Sequence, residues 1–575
     1  MAKQREISLL FPPVEGVTYK MISDTAFHDL GLDGLCEKLT QKANERTLIN
    51  NILKTMTDSV YVSDYRIGIF KDICDFPDMR AKMIKLLDQI QFLNDYGSFK
   101  RDHDIKSGLW EFLHRLSELN DYINTVEAVH ECLTETPVRS QGFNDLKTYL
   151  EKVHEDSLFK ELKEDIASLN ADTSSLRSVT IGVNLKKSFE VESIGLVSVN
   201  SKEFKSSGIL GNFADAIAGG RGIKEGNDWN NDFKYQPISK TQSEVVKNFD
   251  RFGSFFALWG NPLATGMMAT LATVPENDAG SSVTHYFDKE VSHLLSHLTR
   301  KLEQTLSKYV TFSINTIVDL IPEFMYYVRW AEYLEKLKSR GFVFCTPKAK
   351  ANDDGISMKA KGLYNFKLAV SGEIKPDEIV KNDLDFSKEH TIYILTGANR
   401  GGKTTITQAV GLLFALAQSG ISVPADEFVF TPADCIYTHY PADEDKTLDL
   451  GRLGEECTRF KEIFDASTSN SLMLLNETFS TTSFEEGYFI AYDSVRALLR
   501  KGARVIYNTH MHKLAYDADE LNKDIKDAKV ASLLAHSTDG VRSFEVSVSP
   551  PEGRSYAKDI ALKYGVTFDQ LTGEK

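Results

Sequence analysis

The chain has 575 residues, 42% of them hydrophobic and 26% charged, an ordinary globular composition whose length suggests about four folding units at ~150 residues each. Its formal net charge of −15 excludes coating of nucleic acid by global attraction, so any DNA contact requires a local basic patch or shape recognition. No apolar run approaches the ~18 residues needed to span a bilayer, residues 1–16 do not read as a signal peptide, and six scattered cysteines without a CxxC pair argue against a disulfide framework or spaced zinc site and for a reducing cytoplasm.

Residues 1–174 read mainly as helices. Leu30, Leu35 and Leu39 form a first, weak stripe. The stretch Asp75–Asp78 offers a helix start, and Met83, Leu86, Leu87, Ile90 and Leu93 then recur at helical spacing. From Asn120 to Leu169 the pattern stays helical and highly charged. The texture changes at 178–200, which is β-branched with partial alternation and reads as two strands joined by a short turn. From Ser206 to about Gly280 the chain is rich in Gly, Asn, Ser and Pro, and 219–239 reads as a surface excursion. Helical periodicity returns at Val291, Leu294, Leu298, Leu302, Leu306 and Tyr309, and again at Tyr326, Tyr327, Trp330 and Leu334.

Beyond Gly341, short apolar runs alternate with amphipathic helices. Strands are expected at Thr391–Leu395, Leu472–Leu475 and Val505–Tyr507, and helices at Thr404–Ser419 and Tyr488–Leu499. That alternation predicts a largely parallel sheet. The expected fold class is multidomain: a mainly α-helical core interrupted by a β-containing inserted segment, then a C-terminal α/β domain. The expected domains are 1–174 and 286–345 for the helical core, 175–285 for the insert and 346–575 for the α/β domain.

Chemistry concentrates in that last domain. Gly397-Ala398-Asn399-Arg400-Gly401-Gly402-Lys403-Thr404 fits the phosphate-loop pattern GxxxxGK[ST]. Backbone N–H groups of such a glycine-rich turn point at the β-phosphate, and the following helix N-terminus adds partial positive charge. Lys403 neutralises the β/γ oxygens and Thr404 offers its hydroxyl to Mg²⁺. A predicted strand precedes the turn. After it, Ile406, Val410, Leu413 and Ala417 share one helical face, with Gly420 at the C-cap. ATP with Mg²⁺ is the expected cofactor, held by Gly397, Asn399, Gly401, Gly402, Lys403, Thr404 and Thr405.

Leu472-Met473-Leu474-Leu475-Asn476-Glu477 is a buried strand ending in polar residues, the form of a Walker B strand. Such strands usually end Asp-Glu. Asn476 can accept a hydrogen bond from a metal-bound water but brings no charge, so weaker Mg²⁺ binding and slow turnover are expected. Glu477 is the candidate general base. A third strand ends at Thr509-His510, where His510 can contact the γ-phosphate or the attacking water. The metal candidates are thus Thr404 and Asn476, and the catalytic candidates Glu477 and His510.

These residues in this order resemble the ATPase domain of the MutS family, the DNA mismatch-repair ATPases related to ABC transporters and SMC proteins. Asn399 with Gly401-Gly402-Lys403-Thr404 is similar to the family's TGxNxxGK[ST]. Asn382-Asp383-Leu384, Val423-Pro424-Ala425, the stretch from Thr481 to Gly487, Asn508-Thr509-His510 and the stretch from Gly553 to Gly565 resemble further family segments. Leu30-Gly31, Glu45-Arg46, Tyr65-Arg66 and Phe70-Lys71-Asp72 resemble the start of its helical core. The resemblance implies an ABC-type ATPase domain, helical levers and a DNA clamp inserted at 175–285.

The departures are specific. The first 100 residues contain no Phe-x-Glu, so the resemblance points to a branch without the mismatch-reading N-terminal domain, and the chain's end at Lys575 suggests no nuclease domain. The segment from Leu448 to Glu456 lacks the family's signature serine, although its glycine N–H groups and Arg452 remain available for a γ-phosphate. In the insert, Lys186, Lys187, Lys202, Lys205, Arg221, Lys224, Trp229, Phe233 and Lys234 could grip a phosphate backbone, but nearby acidic residues dilute them.

The resemblance implies an ATP-switched homodimer acting on double-stranded or branched DNA, a DNA-dependent ATPase in mismatch repair, recombination control or related maintenance, with no membrane partner. A nucleotide-dependent protein-interaction scaffold with little turnover is the alternative, favoured by Asn476, the absent serine and the acidic balance. A small-molecule kinase fits poorly, because hundreds of helical residues precede the loop.

Overall fold

Ser23 accepts a hydrogen bond from the Ala26 N–H at 3.1 Å and so starts the first helix of the body. The computed structural model describes residues 7–86, 109–173, 178–185, 187, 191–200, 301, 304–305, 320–353, 355–398, 401–441, 451–523, 528–538, 541–551 and 564–572. After β1 (Lys20–Met21) come α1 (Asp24–Leu30), α2 (Leu32–Leu39), α3 (Ala43–Lys54), β2 (Thr55–Met56) and α4 (Val60–Asp75). Gly31 adopts φ 69° between α1 and α2, closing α1 in the left-handed conformation that glycine tolerates best. Ser59 caps α4, and a further helical run begins at residue 77, just past the predicted start. Then follow α5 (Leu109–Glu135), α6 (Gln141–Glu155) and α7 (Ser157–Thr173).

The chain forms two compact units: Met1–Leu87, His130–Tyr149 and Asn315–Lys575 make one, and Asp88–Val129 with Leu150–Ile314 make the other. In the second unit, β3 (Ser178–Leu185) and β4 (Val191–Asn200) pair antiparallel from Ser178↔Asn200 to Leu185↔Val191, the hairpin that alternation predicts. The candidate DNA-gripping residues of the insert lie outside the described residues, Lys187 excepted, as does most of the stripe from Val291 to Tyr309.

The first unit continues with α8 (Leu320–Ser339), β5 (Lys348–Ala349), β6 (Ile356–Leu363), α9 (Phe366–Ser371), β7 (Asn382–Ser387) and β8 (Ile392–Gly397). Next are α10 (Lys403–Gln418), β9 (Glu427–Phe430), β10 (Ile436–His439), α11 (Gly451–Ala466), β11 (Leu472–Asn476), α12 (Phe484–Lys501) and β12 (Arg504–Asn508). The chain closes with α13 (His512–Tyr516), α14 (Ala518–Leu521), β13 (Val530–Thr538), β14 (Val541–Val548) and α15 (Phe568–Thr572). Six strands order as β10-β11-β12-β8-β13-β14, parallel except for the final β13–β14 pair. A second sheet, β5-β9-β6-β7, was not anticipated. Its strands are short, although β6 buries Met358 and Ala360 while exposing Lys359 and Lys361, a period of two.

Helix α10 is buried nearly all round, with Ala409 through Ala417 at or below 1% exposure save Gly411. It lies between β11 and β12 on one side and α1, α3 and α4 on the other, which explains why its sequence is apolar on every face. On the opposite face of the sheet, Met473, Leu475 and Tyr507 pack with Val495, Leu498 and Leu514; each such aliphatic burial contributes ~1.5–3 kcal/mol.

Arg66 fixes the far end of α10. From α4, its buried guanidinium donates to Gln418 O at 2.9 Å and Leu10 O at 2.7 Å. Tyr326 of α8 donates to Ser419 O at 3.1 Å. Both donors meet the negative end of the helix dipole, where last-turn carbonyls lack intrahelical partners. Gly420, at φ 88°, lies so close to the Arg66 backbone that a Cβ would stand 2.8 Å from it.

Candidate nucleotide site

The site is built at the C-terminal edge of the parallel sheet, where β8, β11 and β12 end side by side. Gly397 ends β8 with φ 133°, and a Cβ there would stand 2.5 Å from Ala535 O on β13. Gly402 takes φ 90° and leads directly into Lys403, the first residue of α10. Both glycines are therefore demanded by the turn. The amide of Gly401 donates to Ala398 O at 3.1 Å. Phe544 approaches from β14, its ring 3.3 Å from where a Gly402 Cβ would lie. Asn399 lies outside the described residues.

Lys403 is buried, and its Nζ donates to Gly397 O at 3.1 Å and Ala398 O at 3.2 Å. Burial lowers its pKa, and the Glu477 carboxylate pulls the other way. Its direct partners are neutral carbonyls, so the ammonium can still serve an anion.

Asn476 and Asn508 are paired residues at the ends of adjacent parallel strands β11 and β12. Thr404 Oγ1 donates to Asn476 Oδ1 at 3.3 Å. Asn508 Nδ2 donates to the same Asn476 oxygen and, at 3.4 Å, to Thr404 Oγ1. The predicted metal pair is thus brought together, and Asn508 joins it. The oxygens converging here, a hydroxyl and an amide carbonyl, are neutral. Thr405, one residue on, accepts from Asn365 Nδ2 through its carbonyl at 2.8 Å.

Glu477 follows with φ 54°, its N–H donating to Asn508 O at 2.9 Å. That unusual backbone turns its side chain toward His510, whose Nε2 lies 2.8 Å from Glu477 Oε1. The two predicted catalytic side chains therefore form one pair. Tyr507 braces the turn by donating to Thr478 O at 2.9 Å. His439, buried at the end of β10, lies 3.1 Å from Thr478 Oγ1 through Nδ1 and 3.2 Å from Glu456 O through Nε2. The carbonyl requires a donor, so Nε2 carries the proton and Nδ1 accepts. Burial, then the nearby Arg459, lowers the His439 pKa to about 4.

The other family-like segments act as braces. Asn382 accepts from Val546 N at 2.7 Å and donates to Phe544 O at 3.2 Å. Asp383 accepts from Gly362 N at 2.7 Å. Val423 exchanges backbone hydrogen bonds with Cys345. Gly451 to Glu456 open α11, and Glu456 accepts from Thr481 at 3.1 Å; Leu448 lies outside the described residues, as does 552–563. Sequence reasoning missed Asn508 and His439, although each is a polar residue at the end of an apolar strand. A separate cavity of about 560 Å³, lined by Asp29, Asp33, Phe366, Lys367 and Gln408 among others, shares no residue with the phosphate loop.

Residues 393–566 match MutS domain V. That stretch holds the phosphate loop and the strand ends that carry the MutS resemblance in the sequence. It is similar to the "Endonuclease MutS2" of Thermus thermophilus, 29% identical over 224 residues, which are 39% of this chain and 29% of that one. The "Putative endonuclease MutS2" of Bacillus subtilis is 29% identical over 250 residues, 42% of this chain and 30% of that one. The "DNA mismatch repair protein MutS" of Halothermothrix orenii is 30% identical over 227 residues, 39% of this chain and 24% of that one. The chain thus spans less than a third of the length of these MutS relatives. No helix among the described residues is long and apolar enough to cross a membrane.

Proposed function

We propose that this chain is a cytoplasmic, ATP-switched homodimer acting on DNA, with 346–575 as the ATPase domain, 1–174 and 286–345 as the helical core and 175–285 as a clamp-like insert. The observation that carries the reading is the convergence of Lys403, Thr404, Asn476, Glu477 and His510 at one edge of one sheet. The match of 393–566 to MutS domain V, and similarity to relatives that bear mismatch-repair and endonuclease names, support the choice of DNA as partner.

The residues present fit a magnesium nucleotide. The glycine turn leads into the start of α10, where the helix dipole favours phosphate. Lys403 would hold the phosphate oxygens in place of the carbonyls of its own loop, and Thr404 and Asn476 would hold the cation. When bound, Mg·ATP supplies the phosphoanhydride to be cleaved. Glu477 would take a proton from the attacking water at its carboxylate, and His510 would hold that carboxylate in place through Nε2. Arg66 and Tyr326 tie the opposite end of α10 to α4 and α8, so a shift of the loop helix reaches the helical body along a rigid element.

The test is ATP binding and hydrolysis with and without duplex, mismatched and branched DNA, alongside the oligomeric state with and without ATP. Nucleotide-dependent, salt-sensitive binding to DNA supports the reading. A second reading, a scaffold dimer with little turnover, is favoured by the uncharged Asn476 and Asn508 at the cation position; it predicts nucleotide-dependent dimerisation without DNA-stimulated hydrolysis.

A further inference from the structure

Asn508 is 1% exposed, yet its Oδ1 has no hydrogen-bond partner while its Nδ2 serves two oxygens. Buried acceptors left unpaired are rare, and each calls for a reason. Here the two oxygens served are those of Thr404 and Asn476, the pair that would face the nucleotide's cation. An N–H aimed at those oxygens competes with a divalent ion for their lone pairs.

We propose that Asn508 is a third oxygen donor of the cation site, presented by a turn of its side-chain amide. This inference rests on the nucleotide reading above. The amide's oxygen and nitrogen ends are nearly the same size, and its terminal torsion is broad and roughly two-fold, so a turn of about 180° exchanges them within the same volume. Before the turn, Nδ2–H satisfies Thr404 and Asn476. After it, Oδ1 faces the cation directly or through one of its waters. The backbone does not have to move, because Asn508 O remains anchored by the Glu477 N–H at 2.9 Å and the β11–β12 pairing is untouched. The result is a cation position made of neutral protein oxygens, an amide taking the role that a carboxylate would otherwise fill. Such a site holds Mg²⁺ with the nucleotide's phosphates and poorly without them. The same argument explains why Asn508 ends β12 among apolar neighbours: an alanine there would satisfy packing and leave the pair Thr404–Asn476 alone at the ion.

The experiment uses the full chain and a fluorescent non-hydrolysable ATP analogue, titrated in EDTA and in Mg²⁺. The readout is the ratio of the two affinities. Asn508→Ala is expected to cut the Mg²⁺-dependent gain by about tenfold, the usual scale for removing a group that supports a metal site. Asn508→Asp is expected to raise that gain and to make the thermal midpoint rise on adding Mg²⁺ more than in the parent. The aspartate variant also answers the question if the alanine variant fails to fold. An unchanged ratio in the folded variants, with the parent showing a clear Mg²⁺ gain, overturns the inference and leaves Asn508 as a link between strands. Failure of the parent to bind the analogue in either condition removes the nucleotide reading itself, and this inference with it.

Discussion

His510 Nε2 lies 2.8 Å from Glu477 Oε1, joining the ends of two neighbouring strands across the face where phosphate would sit. The pair gives a carboxylate an oriented partner, which is how a base is kept aimed at a water. Glu477→Gln keeps the size and removes the basicity. ATP hydrolysis is expected to fall by roughly 10²–10⁴-fold, with accumulation of an ATP-bound dimer visible by light scattering. A variant that hydrolyses like the parent excludes Glu477 as the base.

Asn476 bears on metal dependence. Asn476→Asp adds a carboxylate at hydrogen-bond distance from Thr404 Oγ1, where the wild-type contact is 3.3 Å. The Mg²⁺ needed for half-maximal analogue binding is expected to drop by about tenfold. An unchanged magnesium requirement would mean that Asn476 does not face the ion.

The acid limb of stability should carry the mark of His439. Its imidazole, held neutral by burial, has its pKa lowered from 6.5 to about 4. The unfolded chain therefore takes up the proton first, so stability is full above pH 6.5 and is lost as pH falls toward 4. At 1.36 kcal/mol per pKa unit the site accounts for up to about 3 kcal/mol over that window. Urea unfolding at about pH 7.5 and about pH 5 measures the loss, and His439→Gln should flatten it.

Arg66 tests the link from the loop helix to the body. Arg66→Met removes the donor to Gln418 O and Leu10 O but keeps much of the volume. Two buried carbonyls lose a charged partner, and the expected cost is about 2–4 kcal/mol in urea unfolding. A loss below the error of the measurement would show that water or neighbouring donors replace the guanidinium.

The parallel sheet, and the meeting of the candidate residues at its edge, were legible because two periodicities and one motif agreed. Apolar runs at Leu472 and Val505 are central strands buried on both faces, and Gly397, Gly402 and Lys403 mark the strand–turn–helix that begins on β8, beside β12. The second sheet was not legible: β5 has two residues and β6 is interrupted by register shifts, so no long alternation exists to be read. Arg66 and Asn508 were hidden for another reason. Their partners are 352 and 32 residues away in sequence, and no local pattern announces a contact made only in the folded chain.

The most direct test is the affinity of a fluorescent ATP analogue with Mg²⁺ for the parent and for Lys403→Ala. The account predicts binding by the parent at micromolar concentrations and a loss of about 100-fold in the variant, the scale of removing a buried charge-assisted contact. Equal affinities in the two proteins, or no binding by the parent, would contradict it.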